Sequence, residues 1–499
     1  CLDAAAGEFL WGYGTEGPIR LAPTIHEGKV YFGSDDGCVY CLDAEGGNLL
    51  WKHRPVEPDR RLPGNGRIIS LWPIRSGVLV DGGIAYFTAG LFPSQGAWLC
   101  AVEADSGKPV WKQQVDISPQ GYLLASSNRL FVPTGRTAPH IYLRDDGQQV
   151  AAFPGGGEQR AGFPQGGGSY ALIVDDVLVH AGGEKRGLEF TATENREKII
   201  TSPGIRLVAR GDTAYILDMD RLKAIHRARY IELLRLENKK EKTPADAQRI
   251  ARLRGPEEPA VLWDVPCAAP YAMVLTGKHV VCGGDESVVA FDAETGKQAW
   301  QAPVLGKAYS LATASKCLYA GTDRGTIYCF GDEAAAIPRR DETVLSEHSL
   351  LDWERDSSFS PLPPCDAGYC LALGLESIIW LPHIVTSTKM NVVCVLPEAD
   401  EAAELRRSKV TDRISWSDRI SFQVGRLQKL PFQSRTFNLI IAGIGPHSQE
   451  PPTPPSEILR LLRPNGGTVA LLGRGALNAQ ETRARLKAWA GEDIPSMEF

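Results

Sequence analysis

The 499-residue chain contains no run of 18 or more consecutive apolar residues, so it lacks the signature of a transmembrane helix. No two of its cysteines are adjacent, and no Cys-x-x-Cys-His stretch occurs, which excludes c-type haem attachment. Cys38 and Cys41 have no second ligand pair near them, so a zinc knuckle is disfavoured and no metal site is read. The Gly runs 155–157 and 166–168 lack a following Lys-Ser or Lys-Thr; they read as loops, not phosphate cradles. An excess of positive charge is also missing. Lys and Arg number 54 against 60 Asp and Glu, the net charge is −6, and nothing in that balance calls for nucleic acid. No signal peptide is visible. The chain opens Cys1-Leu-Asp-Ala without Met, inside a repeat, as a fragment would, so the missing leader excludes little.

What is present is ordinary globular composition, 43% hydrophobic and 23% charged, in a chain too long for a single core. The 51 Gly and 34 Pro suit many short strands joined by tight turns. Eleven cysteines are scattered through apolar strand patterns and read as reduced, buried, small apolar residues, which favours a reducing compartment.

A repeat is plain. Asp3-Ala-Ala-Ala-Gly7-Glu-Phe-Leu-Trp11 recurs at Asp43 to Trp51, Glu103 to Trp111 and Asp292 to Trp300. The acid, the Gly four later and the Trp eight later keep their spacing each time. A second element, Gly33-Ser-Asp-Asp-Gly37-Cys-Val-Tyr-Cys41, matches Gly321 to Cys329 in register. Asp-Asp-Gly and Asp-Arg-Gly between alternating apolar runs are hairpin signals. The Gly suits a positive φ, and the Trp is large enough to wedge between neighbouring sheets. The Trp11 to Trp51 spacing is that of one four-stranded blade.

These motifs resemble the PQQ-enzyme repeat of quinoprotein dehydrogenases and of the outer-membrane assembly lipoprotein propeller. The resemblance covers about residues 1–331. It implies an all-β propeller of seven or eight four-stranded blades, with strand sets near 21–51, 70–111, 120–153, 169–192, 204–263, 269–300 and 308–331. Quinoprotein dehydrogenases of this resemblance hold their quinone with a vicinal disulfide, a stacking Trp and a calcium-binding acid cluster. The adjacent cysteines are missing here, so PQQ is disfavoured and the propeller is expected to be a rigid disc that binds a protein or peptide at its face. His226 to Arg254 interrupts the repeat with nine Lys and Arg, four acids and no Gly. It reads as a helical insertion at about 226–255, with a docking helix pair for an acidic partner as the alternative.

Residues 332–366 have linker composition, with Pro-Leu-Pro-Pro at 361–364. From Ala367 the pattern becomes strand–helix–strand. Strands are expected at Tyr369–Gly374, Asn391–Val395, Ile420–Val424, Phe437–Ala442 and Thr468–Leu472, and helices at Ala399–Ser408, Pro455–Leu462 and Gln480–Ala490. Continuous apolar strands alternating with helices predict a parallel sheet, a Rossmann-like α/β domain over 367–499. The stretch LPFQSRTFNLIIAG followed by EILRLLRPNGGTVALL resembles a class I S-adenosylmethionine-dependent methyltransferase.

That resemblance implies S-adenosylmethionine across the carboxyl ends of the first four strands, with a Gly-rich first loop and an acid ending the second strand. Gly374 supplies the first Gly, but the loop continues Leu375-Glu-Ser-Ile378, whose bulky residues would crowd the cofactor. Leu396 stands where the acid belongs, and Glu398 is its substitute. Gly374 and Glu398 are the candidate cofactor-binding residues. Arg426 replaces an acid expected near the adenine, and Glu376 is not taken as a ligand. No catalytic residue is identified. His383 and His447 read as structural or solvated. The family's closing strands are absent, so the domain reads as incomplete.

The sequence therefore leads to a propeller binding scaffold carrying a methyltransferase-like domain with a degenerate cofactor loop. The alternative is an active S-adenosylmethionine-dependent methyltransferase, and a quinone-dependent oxidoreductase ranks last. Reduced cysteines point to the cytoplasm and the propeller resemblance points outside it.

Overall fold

The computed structural model describes residues 1–4, 7–134, 139–150, 171–175, 177–181, 187–193, 198–314, 316–331, 367–411, 418–444, 451–473, 484 and 487–489. The expected linker, both Gly runs and His447 lie outside the described residues, as does most of the expected helix at 480–490. The chain divides into two compact units, Cys1–Ser118 with Ile337–Phe499, and Pro119–Ala336.

In the first unit, Thr24–His26, Lys29–Gly33, Val39–Asp43 and Leu49–His53 form an antiparallel sheet in chain order. Leu79–Asp81, Ile84–Ala89, Trp98–Glu103 and Pro109–Gln114 form a second. The period of two sorts their residues. Val30, Phe32, Tyr40 and Leu42 point to one face, and Tyr31, Val39 and Cys41 point to the other, where they pack on Phe87, Cys100 and Val102 of the second sheet. Cys38 and Cys41 fall in different clusters, as their spacing requires. A short hairpin, Arg61–Gly64 with Arg67–Ser70, turns through Asn65 and Gly66 at φ 52° and 72°.

Three Trp residues, Trp11, Trp51 and Trp263, each stitch one repeat to the next. Trp51 donates its indole N–H to the Ala104 carbonyl at 2.9 Å. A Cβ on Gly107, which has φ 70°, would lie 2.7 Å from the Trp51 ring. Trp11 does the same with Ala44 at 3.1 Å and Gly47, whose φ is 71°. In the second unit Trp263 does so with Ala293 at 3.0 Å and Gly296, whose φ is 70°. The glycine is thus required twice, for the left-handed turn and for the flat face of the indole.

The second unit continues the series. A three-stranded sheet spans Leu124–Ala125, Arg129–Val132 and His140–Leu143. Four-stranded sheets follow over Ala171–Ser202 and Arg206–Pro266. The last sheet has six strands from Ala272–Thr276 to Ile327–Phe330, because the 17-residue strand Gln298–Ala314 pairs with Asp285–Asp292 through its first part and with Cys317–Thr322 through its second. The insertion forms helices Arg227–Glu237 and Pro244–Arg254 between two strands of one sheet. Thr243 and Asp246 make a capping box at the second helix. Tyr230, Leu233 and Leu253 bury one face with Val179, Phe190 and Leu207. Arg249 holds Glu232 at 2.8 Å and also Glu258 on the other side.

The remaining sheet, in the first unit, is parallel throughout. Its order is Ile420–Val424, Lys389–Leu396, Ala367–Leu373, Leu439–Ile444, Thr468–Gly473. Both faces are buried. Cys370, Ala372, Val392 and Cys394 point one way, and Leu371, Leu373, Val393 and Val395 the other. That is why these strands read as continuous apolar runs. Helices Leu381–Ser387, Ala399–Thr411 and Pro455–Leu461 join them.

Candidate functional site

In open parallel sheets ligands bind outside the carboxyl ends of the strands. Gly374 stands there, directly after Ala367–Leu373, with φ 81°. Its N–H donates to the Val395 carbonyl at 2.9 Å, and its own carbonyl accepts the Ser377 hydroxyl at 2.7 Å. A Cβ on Gly374 would meet the Glu376 carboxylate at 3.2 Å, and one on Gly443 would meet the Glu376 Cβ at 2.4 Å. The chain's own Glu376 therefore fills the notch between the first and fourth strands. Glu398 is exposed, ahead of helix Ala399–Thr411, and its carbonyl accepts the Ala402 N–H at 3.3 Å. Gly374 is buried and Glu398 is exposed, and they follow the ends of the neighbouring strands Ala367–Leu373 and Lys389–Leu396. Arg426 is exposed, and His383 sits half-buried in helix Leu381–Ser387.

Sequence reasoning missed Gln423. It is 1% exposed near the end of Ile420–Val424, and its amide oxygen and nitrogen both lack partners among the described residues. Only burial reveals it, because a lone Gln in an apolar strand gives no pattern. Cys394, nearby in the sheet, has its thiol pushed up to about 12 by burial, with the Ser377 hydroxyl opposing, so it is no nucleophile at neutral pH.

The sequence also missed a buried ion network in the first unit. Asp35 and Asp36, read as hairpin formers, are 0% and 2% exposed. Asp35 accepts Arg20 at 2.9 Å and Arg75 at 2.5 and 3.0 Å. Asp36 caps the Cys38 N–H at 2.9 Å and accepts the Tyr40 hydroxyl. Glu16 is bound by Arg61 at 2.7 Å, and Arg61 also holds Asp59. Burial alone would raise the Glu16 carboxyl, but Arg61, Lys52 and Arg406 hold it down at about 2. Arg61 also ties two segments of this unit together. Its N–H donates to the Pro431 carbonyl at 2.7 Å and its carbonyl accepts from Gln433 at 2.9 Å.

The antiparallel sheets, the spacing of acid, Gly and Trp, and the indole-to-carbonyl stitch together define a repeat-built β-propeller protein. The profile described as outer membrane protein assembly factor BamB matches residues 1–70, 35–160 and 256–357, more than half of the chain. The chain belongs to the PQQ-like, BamB-type β-propeller repeat family. It is 30% identical over 202 residues to the dehydrogenase subunit of the quinone alcohol dehydrogenase of Gluconobacter oxydans, covering 36% of this chain and 24% of that one. With the corresponding subunit of Gluconacetobacter polyoxogenes it shares 29% over 161 residues, 27% of this chain and 20% of that one. The chain thus spans a quarter or less of the length of these curated relatives. Among solved structures, BamB from Moraxella catarrhalis aligns at 15% identity and TM-score 0.39, over 63% of this chain and 84% of that one. Quinohemoprotein alcohol dehydrogenase from Comamonas testosteroni aligns at 14% identity and TM-score 0.41, over 64% and 66%.

These relatives correct two expectations. The methyltransferase reading, degenerate or active, is overturned, because the matching proteins are quinone dehydrogenase subunits. It rested on a strand order that many chemistries share and on the stretches LPFQSRTFNLIIAG and EILRLLRPNGGTVALL, and Glu376 occupies the notch where its cofactor loop would open. The cofactor expectation fails with it. S-adenosylmethionine finds no support, and the ranking of PQQ as disfavoured conflicts with curated relatives that are quinone alcohol dehydrogenase subunits by name. That ranking leaned on missing cysteines, a local feature, against a repeat that extends over hundreds of residues.

The calcium-binding acid cluster implied by the quinoprotein resemblance can be compared with the residues present. Among the described residues no three of His, Cys, Asp and Glu converge as a metal-holding set. The carboxylates of Asp35 and Asp36 are taken up by Arg20, Arg75 and Tyr40. The described residues do not supply that cation site.

Proposed function

We propose that this chain is a PQQ-type oxidoreductase-like propeller scaffold. The observation that carries the reading is the stitch repeated at Trp11, Trp51 and Trp263, where an indole donates to a carbonyl of the following repeat and lies flat on its left-handed Gly. The finer division is part of the proposal: a propeller over 1–331, a linker at 332–366 and a Rossmann-like α/β domain over 367–499. Among the described residues, seven antiparallel sheets and the parallel order of the last sheet support it. The test is equilibrium dialysis of the full chain against pyrroloquinoline quinone, with and without calcium, beside a cell containing S-adenosylmethionine. Quinone is expected to be retained over S-adenosylmethionine, and calcium to have no effect, since no described acid set would hold it. Retention of S-adenosylmethionine alone would overturn the reading.

A second reading, a platform for a protein partner, is favoured by one observation. The residue just before the Trp is apolar and exposed in four repeats: Leu10 at 56%, Leu50 at 48%, Val110 at 49% and Leu262 at 42%. Leu50, Val110 and Leu262 stand on edge strands of their sheets and offer apolar side chains to a protein partner.

A further inference from the structure

The last strand pair of the repeat region brings two thiols and a phenol together. Cys317–Thr322 runs antiparallel to Ile327–Phe330, with Tyr319 opposite Cys329 and Leu318 opposite Phe330. Side chains alternate along a strand, so Cys317, Tyr319 and Cys329 share one face. The Cys317 sulfur leans across the ladder, 3.0 Å from where a Cβ on Gly331 would stand. The two thiols are within hydrogen-bonding reach of each other and of the Tyr319 hydroxyl. Both cysteines are half-buried and free, unlike the fully buried Cys38, Cys41, Cys100, Cys370 and Cys394. They are therefore open to a solute.

The register decides what the pair can do. Cys317 and Cys329 are diagonal neighbours, and diagonal Cα atoms across antiparallel strands lie about 7–8 Å apart. A disulfide needs about 4.4–6.8 Å, so the ladder holds this pair too wide for a sulfur–sulfur bond without backbone movement. An ion between the sulfurs relaxes that limit. With metal–sulfur bonds of about 2.3 Å, the two sulfurs stand about 4.6 Å apart. Thiolates select soft cations.

We propose that Cys317 and Cys329 form a two-coordinate site for a soft monovalent cation such as copper(I). On binding, each S–H bond breaks and each sulfur forms a bond to the ion. Two protons leave to solvent, no electron is transferred, and the site changes from neutral thiols plus a cation to a bis-thiolate complex of charge −1. Affinity therefore rises with pH.

The test uses the full chain with Cys1→Ser and Cys365→Ser, titrated anaerobically with copper(I) against a chromophoric chelator and counted by native mass spectrometry. This background is expected to bind one copper(I), and either Cys317→Ser or Cys329→Ser to lose it, with the far-ultraviolet circular dichroism unchanged. Tyr319→Phe is expected to keep it. Copper(I) should also protect both thiols of the background protein from maleimide alkylation, a readout that needs no further variant. Retention of the copper by both serine variants overturns the proposal. So does a protein that binds no copper and instead loses two hydrogen masses on exposure to oxidised glutathione, because the pair is then a disulfide.

Discussion

The antiparallel repeat sheets and the parallel sheet are built from similar residues and held together differently. Between repeats, cohesion is local and periodic. Trp11, Trp51 and Trp263 each meet one carbonyl and one Gly of the following repeat. In the parallel sheet nothing recurs. Strands far apart in sequence share two continuous apolar layers, so Leu371 depends on Ile440 and Leu461, which come much later in the chain. A periodic fold divides its stability among interfaces, whereas a parallel sheet places it in one shared core.

Trp51→Ala should have the largest effect, a loss of about 3–5 kcal/mol in urea denaturation, because it empties a buried site and removes the donor to Ala104. Leu371→Ala, fully buried in the parallel sheet, should cost about 2–5 kcal/mol. The two side chains belong to separate clusters, so the double variant should equal the sum to within about 0.5 kcal/mol. A clear departure from that sum would join the two regions into one energetic body and break the contrast.

The next effect comes from acid. The Glu16 carboxyl titrates at about 2 in the folded chain and near 4.5 when unfolded. The unfolded state binds the proton more readily, so the contribution of Glu16 is complete above about pH 4.5 and fades as pH falls toward 2. It is on the order of 3 kcal/mol. Glu16→Gln should flatten the pH dependence of stability in that window. An unchanged acid profile would mean that Arg61, Lys52 and Arg406 do not hold the carboxylate as the geometry indicates. The smallest effect should be that of Thr243→Ala, about 1 kcal/mol from the lost capping box of Pro244–Arg254. It sharpens the comparison, since a cap within one insertion should leave the parallel sheet untouched.

Much of the architecture was legible. The strand sets expected near 21–51, 204–263 and 269–300 correspond to sheets over Thr24–His53, Arg206–Pro266 and Ala272–Lys307. The parallel strands fall within a few residues of their expected positions. Both results come from periodicity, which records which faces are buried. The candidate site was less legible. Gly374 was found because a strand ending in Gly is a local signal, but the blocking of its notch by Glu376 depends on Gly443, nearly seventy residues away. The hairpin pattern at Asp35 and Asp36 gave the turn correctly and said nothing of Arg20 and Arg75, which arrive from other segments. The methyltransferase reading failed for a related reason: strand order and the stretches around the fourth and fifth strands describe a fold that many chemistries share.

By itself the sequence determined the local alternation of strands and turns, the glycines that supply left-handed turns, and the position of the helical insertion, because each depends on neighbours a few residues apart. Tertiary structure alone decided that Arg61 would neutralise Glu16, that Gln423 would be buried without a partner, and that Cys317 and Cys329 would meet diagonally across a ladder. Those outcomes depend on distances between segments remote in the chain, and no local pattern encodes them.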